Sequence, residues 1–103
     1  MKVLIGINMI DSKQKQKLKG LANTLKIKYQ VGKNEISSTL LDMFDKALTA
    51  HELIKIDVMK NVTTEIMQIA LDISSRENAD IVQIVGRTIV LYRKNEKNPK
   101  IKL

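Results

Sequence analysis

Ile81-Val82-Gln83-Ile84-Val85-Gly86-Arg87-Thr88-Ile89-Val90-Leu91-Tyr92 is the stretch that decides the fold. Two runs of aliphatic, mostly β-branched residues flank a Gly-Arg pair. Glycine at the first central position suits a type II′ turn, whose twist matches that of the strands it joins. The stretch therefore predicts a hairpin of two strands, 81–85 and 88–92.

Working outward from the hairpin, helical and strand periodicities alternate. Thr63 or Thr64 opens a helix with Ile66, Met67, Ala70, Leu71 and Ile73 on its apolar side. Before it, Ile54, Ile56 and Val58 alternate with Lys55 and Asp57, the pattern of a half-buried strand. A second helix, from about Ser37 to Ala50, turns Ile36, Leu40, Phe44, Ala47 and Leu48 inward. Lys28-Tyr29-Gln30-Val31 is a short strand running into Gly32-Lys33-Asn34-Glu35. The first helix, Lys13 to about Asn23, carries Leu18, Leu21, Ala22 and Leu25 on one face. Asp11 or Ser12 caps it, and Gln14 permits a reciprocal bond with Asp11. The order is α-β-α-β-α-β-β. It predicts an α/β fold, one compact domain with a four-stranded mixed sheet packed with helices. Crossover helices predict that successive early strands lie side by side and parallel. Residues 11–94 make up the domain. Residues 1–10 stand outside it, either as an added edge strand or with Met9 as the true start, and the basic tail 95–103 is expected to be mobile.

Charge is segregated along the chain. Residues 1–34 hold eight lysines against Asp11 and carry a net +7. Residues 35–80 carry −5 and residues 81–103 carry +5. Such blocks predict one cationic face that concentrates polyanions, with nucleic acid the first partner to consider. The first helix supplies Lys13, Lys15, Lys17 and Lys19, which spread around its exposed side at 3.6 residues per turn.

Other classes are excluded or disfavoured. The chain has no cysteine, so disulfides, thiolate metal sites and a cysteine nucleophile are ruled out. That fits a reducing compartment, and a cytoplasmic protein is expected, with no membrane partner because no apolar run nears the roughly 20 residues of a membrane span. His51 is the single histidine and cannot build a three-ligand zinc site. Near the end of the second helix it suits the helix dipole instead. Asp42, Asp45, Glu52, Asp57, Glu65 and Asp72 are spread as a solvated acidic face rather than a metal site. No nucleophile elbow, P-loop or dinucleotide fingerprint is present. No catalytic residue, cofactor or metal is predicted.

The strand, Gly32-Lys33-Asn34-Glu35 and the following helix form the one candidate site. Main-chain N–H groups in a turn entering a helix favour an anion, Gly32 allows close approach, and Lys33 adds a positive charge. The alternative is a plain turn in which Gly32 supplies a positive φ.

Four motifs carry a resemblance. They are Lys13-Gln14-Lys15-Gln16-Lys17-Leu18-Lys19-Gly20-Leu21-Ala22, Tyr29-Gln30-Val31-Gly32-Lys33-Asn34, His51-Glu52-Leu53-Ile54-Lys55-Ile56, and Val82 to Arg93. In this order they resemble the opening helix, strand and loop, second strand and closing hairpin of the YhbY family. These are small bacterial proteins built as a single CRM (chloroplast RNA splicing and ribosome maturation) domain. The resemblance covers nearly all of residues 12–93. It implies an exposed four-stranded sheet and a fold similar to the C-terminal domain of translation initiation factor three. It also implies binding to structured RNA, namely rRNA of precursor large ribosomal subunits. A non-catalytic monomer is expected, with ribosomal proteins or assembly GTPases as further partners. The implied binding residues are Lys13, Lys15, Lys17, Lys19, Gly32, Lys33, Asn34, Arg87 and Arg93. The alternative is a protein-interaction adaptor that docks a basic partner through the acidic middle block. A third reading, general polyanion binding, predicts equal affinity for duplex DNA and RNA.

The chain departs from the family at Glu35, where a Gly-x-x-Gly loop has its second glycine. Small residues let phosphates approach such a loop closely. Glu35 adds bulk and a negative charge there, although a carboxylate near a helix N-terminus is favoured by roughly 0.3–1 kcal/mol. Glu35→Gly is therefore expected to tighten binding to structured RNA at matched salt, measured by titration. Unchanged or weaker affinity would count against the loop.

Overall fold

The structure is a computed structural model that describes residues 10–26, 28–32 and 36–103. The elements are α1 (Ser12–Ala22), β1 (Lys28–Val31), α2 (Ser38–His51), β2 (Leu53–Val58), α3 (Ile66–Glu77), β3 (Asp80–Val85) and β4 (Thr88–Tyr92). The proposed N-terminal edge strand, or alternative start at Met9, lies outside the described residues.

Local chemistry explains the helix boundaries. At α1 the Asp11 carboxylate accepts from the Gln14 N–H at 2.9 Å, and the Gln14 side chain accepts from the Asp11 N–H at 3.1 Å. This reciprocal pair satisfies two donors that a helix start leaves open. Ser37 caps α2 by accepting from the Leu40 N–H at 3.1 Å. Helix α3 begins later than Thr63 or Thr64, at Ile66, and Glu65 in the cap position makes no side-chain cap bond. Asn78 ends α3 in the left-handed region, which asparagine tolerates better than most residues.

The strand order is β1-β2-β4-β3. As expected for a helix crossover, β1 and β2 are parallel neighbours, with Tyr29 opposite Ile56 and Val31 opposite Val58. The crossover through α3 differs from expectation, because β4 lies between β2 and β3 and is antiparallel to both. The two-residue turn folds β4 back along β3 and offers β4's other edge to β2. Gly86 sits at φ 59° and Arg87 is not among the positive-φ residues, the sign pattern of a type II′ turn.

Both sheet faces carry helices. Ile54, Ile56, Val58, Ile89 and Leu91 face Phe44 and Leu48 of α2 and Ile69 and Ile73 of α3. Tyr29 meets Phe44 edge-on, with ring centroids 6.1 Å apart at 87°. On the other face Leu18 and Ala22 of α1, with Ile10, cover Leu53, Val82, Val90 and Tyr92. Full burial of Leu18 contributes about 2 kcal/mol to holding α1 there. The sheet is thus not exposed in the sense the resemblance implies, since α1 closes part of its second face. A bulge between Ile81 and Gln83 resets the alternation in β3, so Ile81 and Ile84 both pack on the α2/α3 side. In α3, Met67 and Leu71 point away from the core, 53% and 49% exposed, because Ile69, Ala70 and Ile73 fill that contact.

Two charged side chains knit the far end of the sheet. Arg93 donates from Nη1 to the Glu77 carbonyl and from Nη2 to the Asp45 carbonyl and Thr49 Oγ1, each at 2.9 Å. It also pairs with the Asp45 carboxylate at 2.9 Å, so one guanidinium ties α2, α3 and the end of β4 together. Glu52 holds residues 95–101 through three main-chain N–H bonds, so the tail is fixed to the domain rather than mobile.

Glu77 is buried beside this knot, and its Oε2 has no hydrogen-bond partner among the described residues. Burial first, then the nearby Asp45 charge, pushes its carboxyl above the usual range; Arg93 opposes this and Asp42 adds to it. A carboxyl raised on folding loses stability as pH climbs past its unfolded value, because ionisation is then harder in the native state. Glu77→Gln is expected to gain stability relative to the parent as pH rises from about 4 to 7. Thermal melts across that range would show it, and a pH-independent difference would contradict the assignment.

Candidate nucleic-acid interface

The strand directions collect several turns at one end of the sheet. Val31, Val58 and Val85 end β1, β2 and β3 there, and Thr88 begins β4. Gly32, the turn from Met59 to Val62 and the Gly86-Arg87 tip therefore share this edge. The Met59 N–H donates to the Val31 carbonyl at 2.9 Å, and the Val58 N–H donates to the Arg87 carbonyl at 2.8 Å. Gly32 is not in the left-handed region, which removes the plain-turn reading in which it supplies a positive φ. Among the described residues, a Cβ added there would meet only Met59 Sδ, at 3.4 Å. Lys33 and Asn34, with Glu35, lie outside the described residues.

Arg87 is engaged structurally at this edge. Its Nε donates to the Val58 carbonyl at 3.0 Å, and Nη2 donates to the carbonyls of Met59 at 2.8 Å and Val62 at 3.1 Å. These bonds stitch the hairpin tip to the turn after β2 and leave the Nη1 protons out of the set. Arg93 lies at the opposite end of the sheet with both Nη groups committed, apart from the Gly32 edge.

At about 100° per residue, α1 divides its lysines between two flanks. With Leu18 and Ala22 against the sheet, Lys15 and Lys19 fall on one flank and Lys13 and Lys17 on the other. The Lys17 ammonium donates to the Lys102 carbonyl, which identifies its flank as the one beside the tail. Lys15 and Lys19 are half-buried on the flank the tail leaves open. Helix α1 lies across β2, β4 and β3, towards the end where Leu53, Val82 and Tyr92 are covered. Alternation then places Gln30, Lys55, Asp57, Thr88 and Val85 on the uncovered remainder of that face, between α1 and the Gly32 edge. Thr88 Oγ1 donates to Asp57 at 2.6 Å.

This surface has a clear chemical character. Lys15, Lys19 and Lys55 border it, and exposed Lys60 stands on the turn beside Gly32. It carries no aromatic ring: Tyr29 is on the other face against Phe44, and Tyr92 is buried beneath α1. It can therefore neutralise phosphates but offers no platform for stacked bases. Lys55 and Lys60 are absent from the residues singled out by sequence. The alternation of β2 already sets Lys55 opposite the core face, and that was the available signal; Lys60 gave none, being one lysine in a turn. Among the described residues, no group of three or more His, Asp or Glu could hold a metal ion, and no helix is long and apolar enough to cross a membrane.

Comparison with known proteins finds relatives over most of the chain. The probable RNA-binding protein YqeI of Bacillus subtilis is 34% identical over 92% of this chain and 99% of its own length. An RNA-binding protein of Haemophilus influenzae is 39% identical over 85% of this chain and 89% of its own. The solution structure of the Staphylococcus aureus protein SAV1595 superposes with a TM-score of 0.77 at 33% identity, covering 92% of this chain and 99% of that one. The profile of the CRS1 / YhbY (CRM) domain matches residues 10–93. With fold, relatives and profile in agreement, the chain belongs to the CRS1 / YhbY (CRM) domain family.

Proposed function

We propose that this protein is a non-catalytic RNA-binding module. The observation that carries the reading is the open sheet surface bordered by Lys15, Lys19 and Lys55 and free of aromatic rings. A structured RNA presents phosphates and 2′-hydroxyls to such a surface, which reads shape more than sequence. The RNA we assign is rRNA of precursor large ribosomal subunits, whose maturation the protein assists as a monomer. The names of its relatives support RNA as the class of partner; the ribosomal assignment follows from the family resemblance.

The adaptor reading is weaker on this structure. Asp42 pairs with Lys46 at 3.2 Å, Asp72 with Arg76 at 2.8 Å and Asp45 with Arg93 at 2.9 Å. Asp42, Asp45 and Asp72, the carboxylates such a docking face would use, are thus each paired with a cation of the same chain.

Binding should fall steeply with salt, because each neutralised phosphate releases counterions. A Lys15→Glu/Lys19→Glu/Lys33→Glu variant is expected to lose on the order of tenfold or more in affinity for large-subunit rRNA at low salt. Equal affinity of the parent for duplex DNA would point to general polyanion binding, and a salt-insensitive complex would rule out the mechanism. Gly32→Ala separates structure from binding. With a negative-φ backbone and room for a methyl group, it should leave stability within about 1 kcal/mol of the parent while weakening RNA binding. A large drop in melting temperature would mean that Gly32 serves the fold instead.

A further inference from the structure

Glu52 is an unusual residue in this domain. It follows α2 at φ 67° and ψ −30°, a conformation costly for a side chain with a Cβ, and is 0% exposed. Its Oε2 accepts from the Asn95 N–H at 2.6 Å, and its Oε1 accepts from the N–H groups of Lys100 at 2.8 Å and Ile101 at 2.7 Å. Burial alone would push this carboxyl up. The three N–H bonds and the nearby Lys100 charge together bring it below the usual range, so it is ionised at neutral pH.

Asn95 completes the clasp. Its Oδ1 accepts from the N–H groups of Lys97 and Asn98, both at 3.1 Å, and its Nδ2 donates to the Thr49 carbonyl at 2.9 Å. Ile101 packs into the cluster under α1, and the Lys102 carbonyl accepts from Lys17. The bonds that fix the tail come from main-chain groups and Asn95, whereas the Lys94, Lys97, Lys100 and Lys102 side chains remain exposed.

We propose that the clasped tail is a second phosphate-contacting ridge, in which Lys97, Lys100 and Lys102 join Lys13 and Lys17 on the flank of α1 opposite Lys15 and Lys19. The inference rests on the RNA-binding reading and extends its footprint. A loose lysine tail would lose conformational freedom when it met RNA, whereas Glu52 orders this one during folding. Cations on both flanks of a helix about 10–12 Å across suit two separate phosphodiester segments of one structured RNA. The cleft of about 690 Å³ between the start of α1, the start of β3 and the tail is no part of this ridge, since Asp80 and Glu96 line it alongside Arg93, Lys94 and Lys102.

The test compares four full-chain proteins on one hairpin RNA across a potassium chloride series: the parent, Lys97→Gln/Lys100→Gln/Lys102→Gln, Glu52→Gln and Lys15→Gln/Lys19→Gln. Removing the tail lysines is expected to weaken binding about tenfold near 0.1 M salt and to lower the salt slope by about two. Glu52→Gln keeps every lysine but turns one acceptor oxygen into a donor, so it should weaken binding by several-fold if order matters. Asn95→Ala substitutes for it should circular dichroism show that Glu52→Gln does not fold. Parent-like binding by the tail variant, with binding lost only in Lys15→Gln/Lys19→Gln, would overturn the ridge and leave the RNA reading intact. Loss in the tail variant with parent-like binding by Glu52→Gln or Asn95→Ala would overturn the ordered clasp. No RNA binding by the parent would overturn both readings.

Discussion

Strand β4 is the constraint on which the rest of the domain depends. It is hydrogen-bonded along both edges, to β2 and β3, and buried on both faces. Ile89 and Leu91 close the core shared with α2 and α3, whereas Val90 and Tyr92 carry α1. The aliphatic run Ile89-Val90-Leu91 is what permits this, because an unpaired polar side chain at any of these positions would be buried without water to bond it. The placement of β4 also fixes the candidate interface. By drawing α1 over one end of the sheet, it leaves the other end of that face open beside Gly32.

Much of the architecture is legible in the sequence, and the departures have physical causes. The capping pair of Asp11 and Gln14 and the Gly86-Arg87 turn are local devices, so local reading finds them. Helix α3 is harder, because apolar residues cover a wide arc of it. Ile66, Ile69 and Ile73 define one stripe and Met67 and Leu71 a second, and sequence spacing alone does not say which meets the sheet. The insertion of β4 between β2 and β3 depends on pairing between distant strands, which no local pattern reports. Glu52 was hidden for a similar reason. Its left-handed conformation is usually a glycine signal, and its acceptors are satisfied by main-chain donors more than 40 residues away.

The candidate site was legible in its charge and less so in its membership. Arg87 and Arg93 look like surface cations in sequence, yet converging carbonyls hold both in the fold, and Arg76 pairs with Asp72. Thus all three arginines of the chain make intramolecular bonds, and its exposed positive charge belongs mainly to lysine. The division follows from the side chains. A planar five-donor fork suits several fixed carbonyls at once, whereas an ammonium on a flexible stem adapts to a phosphate whose position varies. A lysine surface without aromatic rings is suited to backbone geometry rather than base identity.

The bulge in β3 has a consequence for the protein's behaviour in concentrated solution. Strand β3 is an outer strand among the described residues, and an outer strand is a template on which another chain can pair and polymerise. Regular pleating makes that template effective. The extra residue between Ile81 and Gln83 breaks the repeat and increases local twist, so a second molecule approaching this edge finds its donors and acceptors out of step. The irregularity that lets Ile81 and Ile84 share one core thus also guards the edge against self-association.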